Sequence, residues 1–378
     1  MGLFATIYRS LPDLFFLAMV LCAHYLAYRR IRASRWAAAA LLVSGMWVAA
    51  SILGSMHPVV RRLPPGDFHY WWRGVGHLWA LGSLGALSLW LVFPYLEPKF
   101  SPSRRRTLSL AKGAVLASPA VLTGYGVFHE RRNFVLREVD IPIKGLPADL
   151  NGLRIAHLSD IHLSPYLSES DLSYVIEMAN ETKAHLAAVT GDLITGRWDP
   201  VEVCLMQLKR LKTDAGVVGC MGNHEIFAGC EQSAKETAAD LGMNFLRQEA
   251  TGLRFGKAKL NIAGVDYQSF HNPYLIGAES LRDPDAFNLL LSHNPDVFPV
   301  AAQKGFDLTL AGHTHGGQVT FEILHQWVNV ARIFTPFVYG QYRKDGSALY
   351  VTRGIGTVGI PARLGAPPEV ALIRLCAS

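Results

Sequence analysis

LRIAHLSDIHLSPYLSESDLSYVIEMANETKAHLAAVTGDLITG, residues 153–196, is the stretch that decides the fold. Leu153–Leu158 is a β-type apolar run ending in Ser-Asp-Ile-His. Glu169–Glu181 then sets Leu172, Val175, Ile176 and Ala179 at helical spacing behind Ser168, a good N-cap residue. Leu186–Thr190 is a second strand, ending in Thr-Gly-Asp. Strand, helix and strand in this order make a βαβ unit, and the pattern continues downstream. A helix carries Cys204, Leu205, Leu208 and Leu211, and Gly216–Met221 is a third strand. Phe287–Ser292 and Asp307–Ala311 are two more, with Pro295–Lys304 between them. Asn244–Gly264 reads as antiparallel hairpins, so a mixed sheet is expected. Upstream, Asn133–Ile143 alternates as a strand, and Gly145, Pro147 and Asn151-Gly152 make turns.

The first third of the 378 residues is different. Four apolar runs, Leu11–Tyr28, Trp36–Met56, Val75–Leu96 and Leu108–Phe128, have the roughly 17–25 residues a helix needs to cross a bilayer. Buried helices of a soluble bundle keep a polar stripe, which these runs lack. Gly82, Ser83, Gly85 and Ser88 offer a small-residue face for helix contacts, and Trp36, Trp71, Trp72 and Trp79 sit near run ends as an aromatic belt would. The start has one arginine, an aspartate and no small-residue cleavage site, which argues against a signal peptide. Two domains are therefore expected, a four-span transmembrane domain over 1–128 and an α/β domain over 129–378.

Charge divides the same way. Half of the residues are hydrophobic and 17% are charged, which excludes a disordered chain or a coiled coil. Residues 1–132 hold 15 Lys and Arg against 4 Asp and Glu, and the remainder is net −5. The positive charge thus flanks apolar runs and makes no phosphate-binding face, so no nucleic-acid partner is expected. Arg29, Arg30, Arg32 and Arg35 follow the first run, and Lys99, Arg104, Arg105 and Arg106 the third. Arg61, Arg62 and Arg73 lie in the loop between. The positive-inside rule puts the first and third loops in the cytoplasm and the α/β domain outside a bacterial-type inner membrane.

Five strand ends carry metal-ligand chemistry: Asp160 and His162; Asp192; Asn223 and His224; His293; His313 and His315. Singly, each is an ordinary turn. Ligands in an α/β sheet bind beyond the carboxyl ends of strands, and five such clusters at successive ends would converge on one crevice. Imidazole, carboxylate and amide oxygen together suit a two-metal site holding Mn²⁺, Zn²⁺ or Fe better than Ca²⁺ or Mg²⁺. Glycines beside Asp192, Asn223 and His313 let backbone approach the ions.

The order D-x-H, G-D, G-N-H-E, H, G-H-x-H resembles the calcineurin-like metallophosphoesterase superfamily over about 150–320. The tail TRGIGTVGIPARLGAPPEVALIRL and the apolar N-terminus resemble its membrane-associated YkuE-like and YaeI-like branch. The resemblance implies a four-layer α/β/β/α sandwich with two divalent ions. Asp160, His162, Asp192 and His315 would hold one. Asp192 would bridge to the second, completed by Asn223, His293 and His313. His224 would protonate or stabilise the leaving oxygen, while a water activated between the ions attacks phosphorus. Thr195 stands where many relatives have an acid, a departure that touches contacts around the ligands. Arg197, Arg353 and Arg363 are candidates for holding phosphate, because guanidinium binds it bidentately.

The expected function is membrane-anchored hydrolysis of phosphodiester or pyrophosphate bonds, on a phosphorylated, lipid-linked or envelope substrate at the bilayer. A UDP-2,3-diacylglucosamine pyrophosphatase of lipid A synthesis is the alternative, although its cytoplasmic nucleotide conflicts with the outward topology. A transport or receptor protein with a regulatory metal-binding domain is the alternative of another class, weakened by the few charges within the runs. Gly354-Ile355-Gly356-Thr357-Val358-Gly359 fits a dinucleotide pattern, but Pro361 blocks the helix that must follow. His157 reads as a packed core histidine, and His185, His271 and His325 as surface or structural. His24 and His77 lie within apolar runs with no relay partner in sequence. Cys22, Cys204, Cys220, Cys230 and Cys376 match no zinc or disulfide framework.

Overall fold

The computed structural model describes residues 3–56, 66–96, 102–269, 274–320 and 329–378. Arg61, Arg62, Lys99, His271 and His325 lie outside the described residues. The chain groups into two compact units, Met1–His129 with Gly359–Ala362, and Glu130–Val358 with Arg363–Ser378.

In the first unit, α1 (Leu3–Ile31), α2 (Arg35–Met56), α3 (Asp67–Leu96) and α4 (Pro102–Gly124) contain or overlap the four apolar runs. Among the described residues four helices are long and apolar enough to cross a membrane, and a third or less of each span is buried. Leu17 and Val20 of α1 pack on Val48 and Ile52 of α2 and Ala80 of α3. The close approach of α2 and α3 falls at Gly76, where a Cβ would sit 2.2 Å from Ser51 Oγ. The expected small-residue face is only partly used: Gly82 meets Pro119, but nothing approaches Gly85, and Ser88 is exposed. His24 and His77 each bond the carbonyl four residues earlier, on Val20 and Arg73, at 2.9 and 2.7 Å.

The second unit holds twelve strands among its described residues. One sheet runs β1-β12-β2-β3-β4-β5, from β1 (Val135–Ile143), β12 (Glu369–Ala377), β2 (Arg154–Leu158), β3 (Leu186–Thr190), β4 (Val217–Cys220) and β5 (Asn244–Phe245). The other runs β10-β11-β9-β8-β7-β6, from β10 (Gly340–Lys344), β11 (Ser347–Val351), β9 (Leu308–Ala311), β8 (Phe287–Leu291), β7 (Ala258–Gly264) and β6 (Glu249–Phe255). The period-2 side-chain alternation sorts the core into layers. Leu186 and Ala188 of β3 face Leu289, Leu291, Leu308 and Leu310 across the two sheets. Ala187 and Val189 face outward onto α5 (Glu169–Glu181) and α6 (Val201–Leu208). Leu290 and Ala263 of the other sheet pack on Val297 and on Ala301 of α8 (Phe298–Gln303). The result is a four-layer α/β/β/α sandwich with mixed sheets. The Ser168 hydroxyl caps α5 by accepting the Asp171 N–H at 3.2 Å, while Asp171 Oδ2 accepts the Ser168 N–H at the same distance.

Two departures from the sequence reading follow from long-range pairing. Only β6 and β7 form the expected antiparallel hairpin; β5 instead joins the first sheet parallel to β4. The C-terminal β12 inserts between β1, parallel, and β2, antiparallel, a placement that no local pattern announces. Because β2, β3 and β4 are parallel, as are β7, β8 and β9, each set delivers its carboxyl ends to one sheet edge.

Candidate metal centre

Every cluster named above leaves a strand at these edges, and the backbone there is unusual. Asp160, His162, Asp192, His313 and His315 have φ of 51°, 50°, 54°, 74° and 52°, half of the ten positive-φ non-glycine residues among those described. Left-handed backbone costs a non-glycine residue of order 1 kcal/mol and collects where side chains must be aimed at a site. Tertiary bonds hold it. Asp160 N–H and His162 N–H donate to Gly191 O and Asp192 O at 3.0 Å each, zipping the exits of β2 and β3 together.

Glu225, in α7 (Asn223–Ala228), fixes the backbone at Asp192. It is fully buried, and its carboxylate accepts the N–H groups of Asp192 (3.0 Å), Leu193 (2.8 Å) and Gly222 (2.7 Å). Burial raises its pKa to about 7. The sequence reading gave Glu225 no role, although its place three residues into a helix start is a capping signal. Gly222 is required next to it, since a Cβ there would lie 2.1 Å from Asp192 Oδ1.

The donors meet in three groups, and one of them, His162, Asp192 and His224, overlaps the other two. Asp160, His162 and His315 form one, with His315 Nε2 at 3.3 Å from Asp160 Oδ1 and 3.1 Å from His162 Nε2. Asp192, His293 and His313 form another, with His293 Nε2 at 3.0 Å from Asp192 Oδ2 and 3.1 Å from His313 Nδ1. Asp192 Oδ2 also lies 3.5 Å from His162 Nε2, so this carboxylate touches both groups. Asn223 Oδ1 is buried with no hydrogen-bond partner, an expensive state for an amide oxygen unless a cation takes it. Nδ1–H of His293 donates to Thr190 O at 2.7 Å, which leaves Nε2 free to ligate. His162 Nδ1 pairs with Thr195 Oγ1 at 3.2 Å. Thr195 therefore orients a ligand where an acid was expected.

Electrostatics point the same way. Burial holds His162 and His313 down at about 3 and His315 well below its ordinary value, so all three stay neutral, as metal ligands must. Burial raises Asp160. Burial also opposes ionisation of Asp192, but the charge and hydrogen bond of His293 outweigh it and keep Asp192 well below the usual carboxylate range. His293 in turn overcomes its own burial through Asp192 and reaches about 10. A proton on His293 and a divalent ion among these donors are alternative ways to balance two buried carboxylates. The donor set fits two divalent ions.

His224 stands beside the donors. Its N–H donates to Asp192 Oδ1 at 2.9 Å, its Nδ1–H to Thr195 O at 2.5 Å, and its ring lies 4.7 Å edge-on from that of His162. Tyr267, which the sequence reading missed, places its ring 5.4 Å from His313 and 6.1 Å from His293. Its signal was the same as the others, a polar residue just past a strand end.

One arginine assignment needs correction. Arg363 is fully buried, and its guanidinium donates to the carbonyls of Gly356, Arg353 and Ala366 and faces His315 O and Nδ1 at 3.3 Å. Its donors are committed to protein, and it props His315 instead of holding phosphate. Arg353 is buried too, stacked 4.2 Å over Tyr339 and 3.9 Å from Glu369. Arg197 is exposed and lies 4.6 Å over the Trp198 ring. The rejected dinucleotide pattern packs beneath the donors: Gly354 and Gly356 lie where a Cβ would meet Asp160 Cβ at 2.6 Å and Ile161 O at 2.1 Å. His157 is a core residue, bonded to Thr190 Oγ1 at 2.8 Å.

Residues 153–317 match the family model described as calcineurin-like phosphoesterase. A Helicobacter pylori protein described as an uncharacterized metallophosphoesterase is 31% identical over 290 residues, 73% of each chain. Bacillus subtilis YkuE, also described as an uncharacterized metallophosphoesterase, is 29% identical over 72% of this chain and 97% of its own. A zebrafish transmembrane protein with metallophosphoesterase domain is 30% identical over 73% of this chain, which spans 66% of that relative's length. The solved phosphopantetheinyl hydrolase of Mycobacterium tuberculosis aligns with a TM-score of 0.36 at 12% identity, over 55% of this chain and 91% of its own. With its donors gathered at the strand ends, the chain belongs to the calcineurin-like metallophosphoesterases, a family of metal-dependent phosphoester hydrolases.

Proposed function

We propose that this protein is a membrane-anchored hydrolase of phosphodiester or pyrophosphate bonds, acting on a lipid-linked or envelope substrate. One observation carries the reading: Asp192, grouped with His293 and His313, also reaches His162 of the other group at 3.5 Å, while the buried Asn223 Oδ1 lacks a partner. Asp160, His162, Asp192 and His315 would hold one divalent ion, and Asp192, Asn223, His293 and His313 the other. When bound, the ions supply positive charge for phosphoryl oxygens and make a water nucleophile available near neutral pH. Glu225 and Gly222 keep the Asp192 carboxylate oriented, and Thr195 fixes the ring of His162. His224, anchored through Nδ1, presents Nε2 as the group that gives a proton to the leaving oxygen, a step worth about 10²–10⁴-fold. Four apolar helices support anchoring, and the loop arginines favour an outward-facing catalytic part.

The test is the full chain purified in detergent, loaded with Mn²⁺ or Zn²⁺ and assayed on chromogenic phosphodiester, phosphomonoester and pyrophosphate substrates. Hydrolysis of diester or pyrophosphate that Asp192→Ala abolishes is the expected result. A metal-loaded chain that hydrolyses none of the three would contradict the reading.

A further inference from the structure

Nine large apolar side chains are exposed among the described residues of 130–378, and six of them follow strand carboxyl ends beside the donors: Trp198, Ile226, Phe227, Ile276, Ile333 and Phe334. They lie on four separate segments, each tied to the centre. Trp198 is in the turn whose Thr195 contacts His162 and His224, a turn closed by Asp199 accepting the N–H groups of Thr195 and Gly196. The Phe227 ring is 5.8 Å from that of His224. Ile276 follows Leu275, whose N–H donates to Gln268 Oε1, while Asn294, next to His293, donates to Gln268 O. Ile333 and Phe334 precede Thr335, which bonds Asp296, and Val338, whose carbonyl accepts the Thr314 hydroxyl between His313 and His315.

Exposed apolar residues scattered singly need no explanation, but a rim of them on several loops around one site does. Only Leu136, Tyr174 and Met206 lie elsewhere. Two exposed arginines alternate with the rim, Arg197 beside Trp198 and Arg332 beside Ile333. Net charge in 133–378 is −5, yet both of these arginines are exposed beside apolar rim residues. Aromatic and aliphatic side chains interleaved with arginine suit an anionic lipid–water interface. We propose that this rim dips into the headgroup region of an anionic phospholipid bilayer, so that the metal centre meets phosphate groups at the lipid surface. The proposal rests on the membrane part of the proposed function and not on its hydrolytic part.

The test uses the full chain in nanodiscs of phosphatidylcholine and phosphatidylglycerol, with or without brominated acyl chains. The Trp198 emission is isolated by subtracting that of Trp198→Phe, which removes one of eight tryptophans. Brominated lipid should quench the Trp198 component by about half or more, because interfacial side chains sit within reach of the upper acyl chain. Ile333→Ser with Phe334→Ser should reduce that quenching. Trp198 emission insensitive to bromine and quenched by aqueous iodide would overturn the proposal while the helix tryptophans, still quenched, leave anchoring intact. Loss of quenching at every tryptophan would overturn both. Neither result depends on whether the protein hydrolyses anything.

Discussion

His224 and Asn223 are neighbours in sequence with separable jobs. In the proposed function Asn223 would offer its unpartnered oxygen to an ion, whereas His224 is held by its ring on Thr195 O and by its backbone N–H on Asp192. His224→Gln should therefore lower kcat by about 10²–10⁴-fold with metal content unchanged; Asn223→Ala should lower metal content as well. Metal analysis beside steady-state kinetics separates the two. A different histidine contributes to acid stability away from the donors. Burial depresses His157 to about 3 from an ordinary value near 6.5. Between those values the unfolded chain takes up a proton that the folded chain refuses, so the native state loses stability as pH falls through 6.5. At pH 5 the loss from this one group is about 2 kcal/mol. Thermal unfolding of wild type and His157→Gln should show their gap narrowing from pH 7 to pH 5; a constant gap would contradict the assignment.

At the scale of the element, the strands bring far-apart donors together, and glycines set how closely the exits pack. Gly312, just past β9, has ordinary φ but no room: a Cβ would be 2.1 Å from both Asp160 Oδ2 and Ser159 Oγ. Gly312→Ala should displace Asp160, costing about 1–3 kcal/mol of stability by overpacking and also reducing bound metal. Lower Tm with full metal content would refute that coupling. Much of this scale was legible in sequence. The helix Glu169–Glu181 and strand Leu186–Thr190 coincide with α5 and β3, because periodicity and a cap signal agree there. What was illegible depended on distant partners. β5 is two residues long and has no pattern of its own. β12 takes its place by pairing with strands more than 200 residues earlier. The Arg363 assignment failed for a related reason: guanidinium chemistry is the same whether it meets phosphate or buried carbonyls, and only packing shows that Arg363 meets carbonyls.

Over the whole molecule, one chain joins four apolar helices to a dimetal-type sandwich. The helices were readable because hydrophobic length is a one-dimensional property, and the donor set because strand-end motifs recur in a fixed order. A third or less of each span is buried against protein, so the first unit exposes much apolar surface. The full chain should remain with membranes after high-salt and alkaline washing and leave only with detergent; release by the wash would contradict anchoring.

Metal stoichiometry tests the central claim most directly. Elemental analysis of the full chain, purified from cells and dialysed against metal-free buffer, should find about two equivalents of divalent transition metal per chain, since two donor groups share one carboxylate. Asp192→Ala should hold one equivalent or less. A wild-type chain without bound metal after Mn²⁺ or Zn²⁺ loading, or an Asp192→Ala chain that keeps both equivalents, would contradict the account.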